Sequence, residues 1–157
     1  MADSRSPREV FLELVNSIAD GRVGEVPDLY AAEIDVVHPF DPMHAAPLRS
    51  RAEMRARIPE GTVLSRHRER PEIRAIHETG DPEVIVAEFA YQRSHAVTGE
   101  LVSQPAIFVM RVRNGEIVSS RDYHDHLQQA RIRGQLGDLA ARLSAQDAGH
   151  ARPGQES

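Results

Sequence analysis

Apolar side chains near the start of the chain recur every three or four residues, from Val10 to Ile18. This spacing predicts an amphipathic helix. The four residues Ser6-Pro7-Arg8-Glu9 form a capping box with proline at the first helical position, and Gly21 ends the helix. A second capping box, Ser50-Arg51-Ala52-Glu53, predicts a helix that continues to residue 58.

Most of the remaining apolar pattern is typical of strands separated by turn residues. The pattern predicts strands over 34–38, 72–77, 83–95, 101–113 and 116–124. Pro39 ends the first strand, and Asn114-Gly115 predicts a tight hairpin between the last two. A short helix is predicted over 26–32, a proline-rich loop over 40–48 and a final helix over 125–143, with Gly134 and Gly137 weakening its middle.

The order of these elements predicts an α+β fold, in which a curved antiparallel or mixed sheet packs on three to four helices. A chain of 157 residues suits one domain. We expect a flexible N-terminus over 1–6, the domain over 7–143 and a disordered tail over 144–157, because the tail lacks apolar periodicity.

Composition narrows the classes of function. The chain has no cysteine, which excludes disulfides, thiolate nucleophiles and cysteine-ligated zinc. The formal net charge of −5 disfavours nucleic acid as a partner. No run approaches the ~18 apolar residues of a membrane span, and the first residues do not have the pattern of a secretory signal, so we expect no membrane association and a cytoplasmic location.

Three segments resemble a known superfamily when taken in order. They are 29–33 followed by a strand and Pro39, 48–54 at the start of a helix, and 108–125 across the final hairpin. Together, over roughly residues 8 to 135, they resemble the nuclear-transport-factor-2-like superfamily, in its SnoaL-like and ketosteroid-isomerase-like branch. The resemblance implies a cone-shaped α+β barrel around a pocket for a small hydrophobic organic molecule, and a homodimer that pairs through the outer face of the sheet. We predict that Val84, Val86, Val102 and Val109 lie on that face.

The end of the sheet carries a further resemblance. Residues 121–129, followed by Gly134, resemble the phenazine-biosynthesis A/B proteins, and Arg121-Asp122-Tyr123 is similar to the final strand of limonene epoxide hydrolase. Both relatives use the acidic residue of that strand in catalysis, which implies a catalytic role for Asp122.

The chain also departs from two well-known enzymes of the superfamily. Phe89 and Tyr91 stand where limonene epoxide hydrolase has an Arg-x-Asp pair. Leu14 and Phe108 stand near the oxyanion donors of ketosteroid isomerase, and His38 replaces its aspartate base. The resemblance therefore does not extend to either of those two activities.

Strand alternation predicts which side chains face the pocket. Ser120, Asp122 and His124 share one face of the last strand, and His38 and Phe40 share a face of the first. We predict that Asp122 and His38 are catalytic, because burial raises the pKa of a carboxyl and a histidine titrates near neutrality. The alternative for Asp122 is a structural ion pair with Arg121 or Arg93. The predicted substrate-binding residues are Tyr91, His124, Phe89, Phe108, Ser120, Phe40 and Leu14.

The motif His124-x-His126 also has the spacing of a metal site on a strand, with His38 or His44 as further ligands. We predict no metal and no cofactor, because the resembling superfamily works mostly without them. The charged stretch 66–70 is interpreted as a solvated connector, with an anionic-substrate gate as the alternative.

These features predict a cofactor-free acid/base enzyme of bacterial secondary metabolism. Its reaction would be an isomerisation, cyclisation, dehydration or condensation of a small cyclic or polyketide-like metabolite. Two alternatives stay open from the residues alone: a non-catalytic protein that binds such a ligand, and a dimerisation module.

Overall fold

The computed structural model describes residues 4–58 and 70–150 of the chain. Its helices are α1 (Pro7–Ala19), a 3-10 helix (Val23–Leu29), α2 (Arg51–Arg57), α3 (His126–Ile132) and α4 (Leu136–His150). The capping box predicted for α1 is present: the Ser6 side chain accepts from the Glu9 amide while the Glu9 carboxylate accepts from the Ser6 amide. At α2, the Ser50 hydroxyl accepts from the Glu53 amide.

The six strands are β1 (Tyr30–Val37), β2 (Leu48–Ser50), β3 (Glu72–Glu78), β4 (Val84–Ser94), β5 (Leu101–Arg113) and β6 (Glu116–His124). They form one curved sheet in the order β2-β1-β6-β5-β4-β3. Neighbours pair antiparallel except β1 and β6, which run parallel. The α+β class and the mixed curved sheet are confirmed, and the sheet is not closed: β2 and β3 form its two edges.

The core lies between one face of this sheet and the helices α1 and α2. Phe11 of α1 packs edge-to-face on Phe89 of β4 and Phe108 of β5, with ring centroids 5.2 and 6.4 Å away. Burial alternates along β4 and β5, so Ile85, Ala87, Phe89 and Tyr91 point inward as predicted. The opposite face carries half-buried valines at 84, 86 and 109, as predicted. The prediction for Val102 is wrong: it pairs with Arg93 and, because positions two apart share a face, lies on the same inner face as Gln104.

Several predicted elements differ from the structure. The helix predicted over 26–32 is a 3-10 helix that ends at Leu29, and Tyr30 already begins β1. The loop predicted over 40–48 is followed by the three-residue strand β2, which was not predicted. The helix predicted over 125–143 is two helices, because Gly134 takes a φ of +69° and turns the chain between them.

The helical conformation extends beyond the predicted domain boundary. Helix α4 continues to His150, so residues 144–150 are helical where a disordered tail was predicted, although α4 has no buried residue. At the other end, Ser6 caps α1 and Arg5 pairs with Glu13. The remaining residues of both predicted termini, 1–3 and 151–157, lie outside the described residues, as does most of the charged connector 66–70. Within the described chain, no helix is long and apolar enough to cross a membrane.

Candidate functional site

A cavity of about 280 Å³ opens between the inner face of the sheet and helices α1, α2 and α3. Its size is near the lower end of small-molecule pockets, which suits a ligand of one or two rings. Most of the lining surface is apolar, although eight of the seventeen lining residues are ionisable. The lining residues are Leu14, Ile18, Val26, Tyr30, Val36, His38, Leu48, Met54, Arg57, Ile58, Tyr91, Arg93, Phe108, Asp122, His124, Gln129 and Arg133.

Asp122 is the buried carboxylate of this cavity. It lies opposite Phe108 on β5, and its side chain is 5% exposed. The Ser120 hydroxyl donates a short hydrogen bond to Asp122 Oδ1, while Arg121 pairs with Asp35 instead (3.9 Å). Burial raises the pKa of the Asp122 carboxyl to about 7, although the Ser120 hydrogen bond acts in the opposite direction. The alternative of a structural ion pair is therefore not seen: Asp122 forms none with the described residues.

Three histidines cluster beside Asp122. The parallel register places Val36 opposite Ser120, so His38 at the end of β1 reaches Asp122 and His124 on β6. The rings of His38 and His124 stack with centroids 5.4 Å apart, and His126 stands edge-on to both at 6.0 and 5.9 Å. His38 Nδ1, His124 Nδ1 and His126 Nε2 are buried and make no hydrogen bond to the residues described.

Burial favours the neutral imidazole at His38 and His124. Burial, followed by the charges of His126 and Arg57, lowers the pKa of His38, and Asp41 only partly opposes this. Burial, followed by the charges of the other two histidines and Arg93, lowers the pKa of His124 to about 3. Near neutral pH, His124 is therefore a neutral imidazole beside a carboxyl that is close to half-protonated.

Two buried tyrosines also line the cavity. Tyr91 was predicted; its hydroxyl is buried without a hydrogen-bond partner in the described chain, and burial raises its pKa. The Arg93 guanidinium lies 4.8 Å from the centre of the Tyr91 ring and donates to Gln104 Oε1 at 2.7 Å. Tyr30 was missed, because it was assigned to a helix rather than to β1. Burial, and then the charge of Asp122, raises its pKa well above the ordinary value.

The structure brings together six of the nine predicted site residues: Asp122, His38, Tyr91, His124, Leu14 and Phe108 all line the cavity. Phe89 does not line it, because its ring is buried in the core against Phe11, Tyr91 and Phe108. Ser120 contacts the site only through Asp122. Phe40 is misplaced: Pro39 turns the chain away, so its side chain is 67% exposed and packs on Tyr123 at the outer face.

Three residues of the site also match the chemistry of a metal centre. His38, Asp122 and His124 are the described residues that could hold a metal ion, since their ligand atoms all lie within 4.8 Å of one another. His44, the other candidate ligand, does not belong to this group. The absence of a metal stays a prediction.

The sequence of this chain matches the model of a known protein family. The model of the SnoaL-like domain matches residues 11–120, which is more than half of the chain. The chain belongs to the SnoaL-like family, within the nuclear-transport-factor-2-like superfamily. The matched region ends at Ser120, so the similarity of 121–129 to phenazine-biosynthesis proteins stays a prediction. Among curated proteins, no sequence matches this SnoaL-like chain.

Solved structures share the SnoaL-like fold at low sequence identity. A candidate isomerase from Bacillus subtilis is 18% identical with a TM-score of 0.71, covering 82% of this chain and 93% of its own. A candidate polyketide cyclase from Acidithiobacillus ferrooxidans is 17% identical with a TM-score of 0.58, covering 82% and 96%. An NTF2-like protein of unknown function from Burkholderia pseudomallei is 22% identical with a TM-score of 0.59, covering 80% and 95%. At these identities, the likeness establishes the fold.

Proposed function

We propose that this SnoaL-like protein is a cofactor-free acid/base enzyme of the isomerase, cyclase or condensing type. Its substrate would be a small cyclic or polyketide-like metabolite bound in the 280 Å³ cavity. One observation carries the proposal: a buried carboxyl, Asp122, has a pKa of about 7 and faces an apolar cavity beside neutral histidines. The relatives named for isomerase and cyclase activity are consistent with this class of reaction.

The proposed chemistry begins with a proton transfer at carbon. Near neutral pH, Asp122 is present in both protonation states, so the carboxylate can remove a proton from the carbon next to a substrate carbonyl. The developing enolate oxygen needs a donor in the same dry cavity. The Tyr91 hydroxyl has no protein partner in the described chain and is assigned that role. Asp122 then holds the proton and passes it to His38, whose ring nitrogen lies within 4.8 Å of the carboxylate. His38, the second proton-transfer group, donates that proton to a different atom of the substrate and returns to its neutral form.

The alternative is a binding protein that performs no reaction. Its supporting observation is that most of the cavity lining is apolar, which favours ligand burial without requiring chemistry. The enzyme and the binding protein would both bind a small ketone, but only the enzyme would accelerate the exchange of its α-protons. An exchange assay therefore separates them before the natural substrate is known.

The test follows the loss of α-proton signals from 2-tetralone and other small cyclic ketones by NMR in heavy water. We expect the wild type to accelerate exchange, and Asp122→Asn to slow it by about 10²–10⁴-fold, the usual contribution of a general acid or base. Asp138→Asn is the matched control, because it removes an exposed carboxylate outside this cavity. Ketones that bind without faster exchange would support the binding protein, and an active Asp122→Asn would remove Asp122 from the mechanism.

A further inference from the structure

Three arginines from different elements line the cavity. Arg57 lies in the last turn of α2, Arg93 near the end of β4, and Arg133 at the C-terminal cap of α3. All three line the cavity that Asp122 faces, and Asp122 is the only carboxylate among its described lining residues. They give the cavity three cationic side chains, on a chain whose formal net charge is −5.

Among the described residues, Arg57 and Arg133 have no carboxylate partner, whereas neighbouring arginines do. On the same helix as Arg57, Arg55 pairs with Asp28 at 2.6 Å and Arg51 with Glu116 at 2.7 Å. Arg57 itself donates to the Ala46 carbonyl at 3.0 Å and forms no ion pair with the described residues. Arg133 likewise has no ion pair there, although Asp41 and Asp138 line the adjoining cleft.

The arrangement also brings like charges together. Arg93 is half-buried, and both burial and the charge of Arg133 lower its pKa. Guanidinium groups that face one cavity repel each other unless an anion lies among them. The helix dipole favours Arg133 at the end of α3, but it does not require this side chain to reach the cavity.

We infer that the ligand of this cavity carries a carboxylate, which Arg57 and Arg133 bind while its apolar ring system lies against Leu14 and Phe108. The inference rests on the proposed function, since it concerns the ligand of the same site, and it adds the substrate class. A guanidinium matches the planar geometry of a carboxylate and forms charge-assisted hydrogen bonds to it. The carboxylate would lie at the Arg57 and Arg133 guanidiniums, with the reacting carbon toward Asp122 and His38.

The test compares two probes of equal shape, 2-naphthoate and the neutral 2-naphthamide, by isothermal titration calorimetry. We expect the wild type to bind the carboxylate about tenfold more tightly than the amide, with the preference shrinking as sodium chloride is raised. Arg57→Gln and Arg133→Gln should each reduce the preference, and the double variant should remove it. Arg131→Gln is the matched control, because it removes an exposed charge from α3 outside the cavity.

Equal affinity for the two probes, including no binding of either, would overturn the inference. So would an equal loss of preference in Arg131→Gln, because the effect would then come from overall charge. Asp122→Asn separates this inference from the proposed function. If the variant keeps both its preference for 2-naphthoate and the wild-type exchange rate, the acid/base role of Asp122 fails while the ligand class stands.

Discussion

Asp122 makes the stability of this protein depend on pH. Its pKa is about 7 in the folded state and that of an ordinary aspartate in the unfolded chain. Between about pH 4 and pH 7, the folded state therefore binds more protons at this group than the unfolded state, and its contribution to stability falls as pH rises. The ionised carboxyl is a buried charge with Ser120 as its hydrogen-bond donor.

We expect Asp122→Asn to remove this loss, since asparagine keeps the shape and can still accept from Ser120. Relative to the wild type, the variant should gain melting temperature steadily from pH 4 to pH 8, with a gain of a few kcal/mol in the free energy of unfolding at the upper end. Thermal melts across that range measure it, with Asp138→Asn as the control. A variant that is less stable than the wild type at pH 8 would contradict the burial of an unpaired carboxyl.

His124 acts in the opposite direction over an overlapping range. Its pKa is lowered to about 3 in the folded state, so the unfolded chain takes up a proton as pH falls from about 6.5 and the fold loses stability. In the wild type this loss partly cancels the Asp122 contribution. We therefore expect the melting temperature of Asp122→Asn to fall more steeply on acidification than that of the wild type. His124→Asn in the same background should flatten the curve.

The prediction that the site works without a metal has its own test, because His38, Asp122 and His124 could hold an ion. Dialysis against a chelator should leave both ketone exchange and melting temperature unchanged, as should added Zn²⁺ at micromolar concentration. Metal recovered in stoichiometric amount from the purified protein, or exchange lost on chelation and restored by Zn²⁺, would contradict it.

Side-chain alternation was sufficient to predict which polar strand residues face the cavity. Asp122 and His124 on β6, and Tyr91 on β4, face the cavity because every second residue of a strand shares a face. The same rule places His38 in the cavity, although it lies one residue past the end of β1. Tyr30 could not be found in this way, since Tyr30-Ala31-Ala32-Glu33 fits a helix end as well as a strand. Arg57 and Arg133 were missed because no sequence pattern shows that two helix ends meet at one cavity.

Among the elements, those with strong local signals were predicted to the residue. Strands β5 and β6 begin and end as expected because Asn114-Gly115, with φ of 52° and 77°, fixes their hairpin. The parallel pairing of β1 with β6 could not be derived, since it depends on contacts between distant parts of the chain. The break at Gly134 was underestimated: two glycines were treated as weak helix formers, whereas Gly134 ends α3 in the left-handed region.

Helix α4 offers a direct test of the predicted domain boundary. Although it continues to His150, it has no buried residue, and its main neighbour is α3. We therefore expect a chain that ends at Ser144 to keep its melting temperature within about one degree, because few buried contacts are lost. A chain that ends at Gly134, which lacks α4 entirely, is the comparison. A loss of several degrees on truncation at Ser144 would show that the end of α4 contributes to the fold.

The whole molecule presents an apolar outer sheet face, which supports the prediction of a homodimer. Val86 and Val109 are cross-strand partners on this face, and Ile107 beside them is 42% exposed. We expect light scattering to give twice the chain mass at micromolar concentration and Val109→Arg to give a monomer. Val97→Arg is the control, since Val97 is 79% exposed in the β4–β5 turn. A monomeric wild type would contradict the prediction.

The parallel pairing of β1 with β6 also sets the order in which the molecule becomes active. Strands β3 to β6 form an antiparallel meander, in which β4, β5 and β6 are joined by short turns. Strand β1 is separated from β6 by β2, α2 and the first three strands of that meander, so their pairing must close a long loop. His38 and Asp122 stand on the two sides of this last junction. During refolding, the sheet signal should therefore recover before ligand binding does, so the site is completed late in folding. Simultaneous recovery in stopped-flow experiments would show that β1 docks together with the meander.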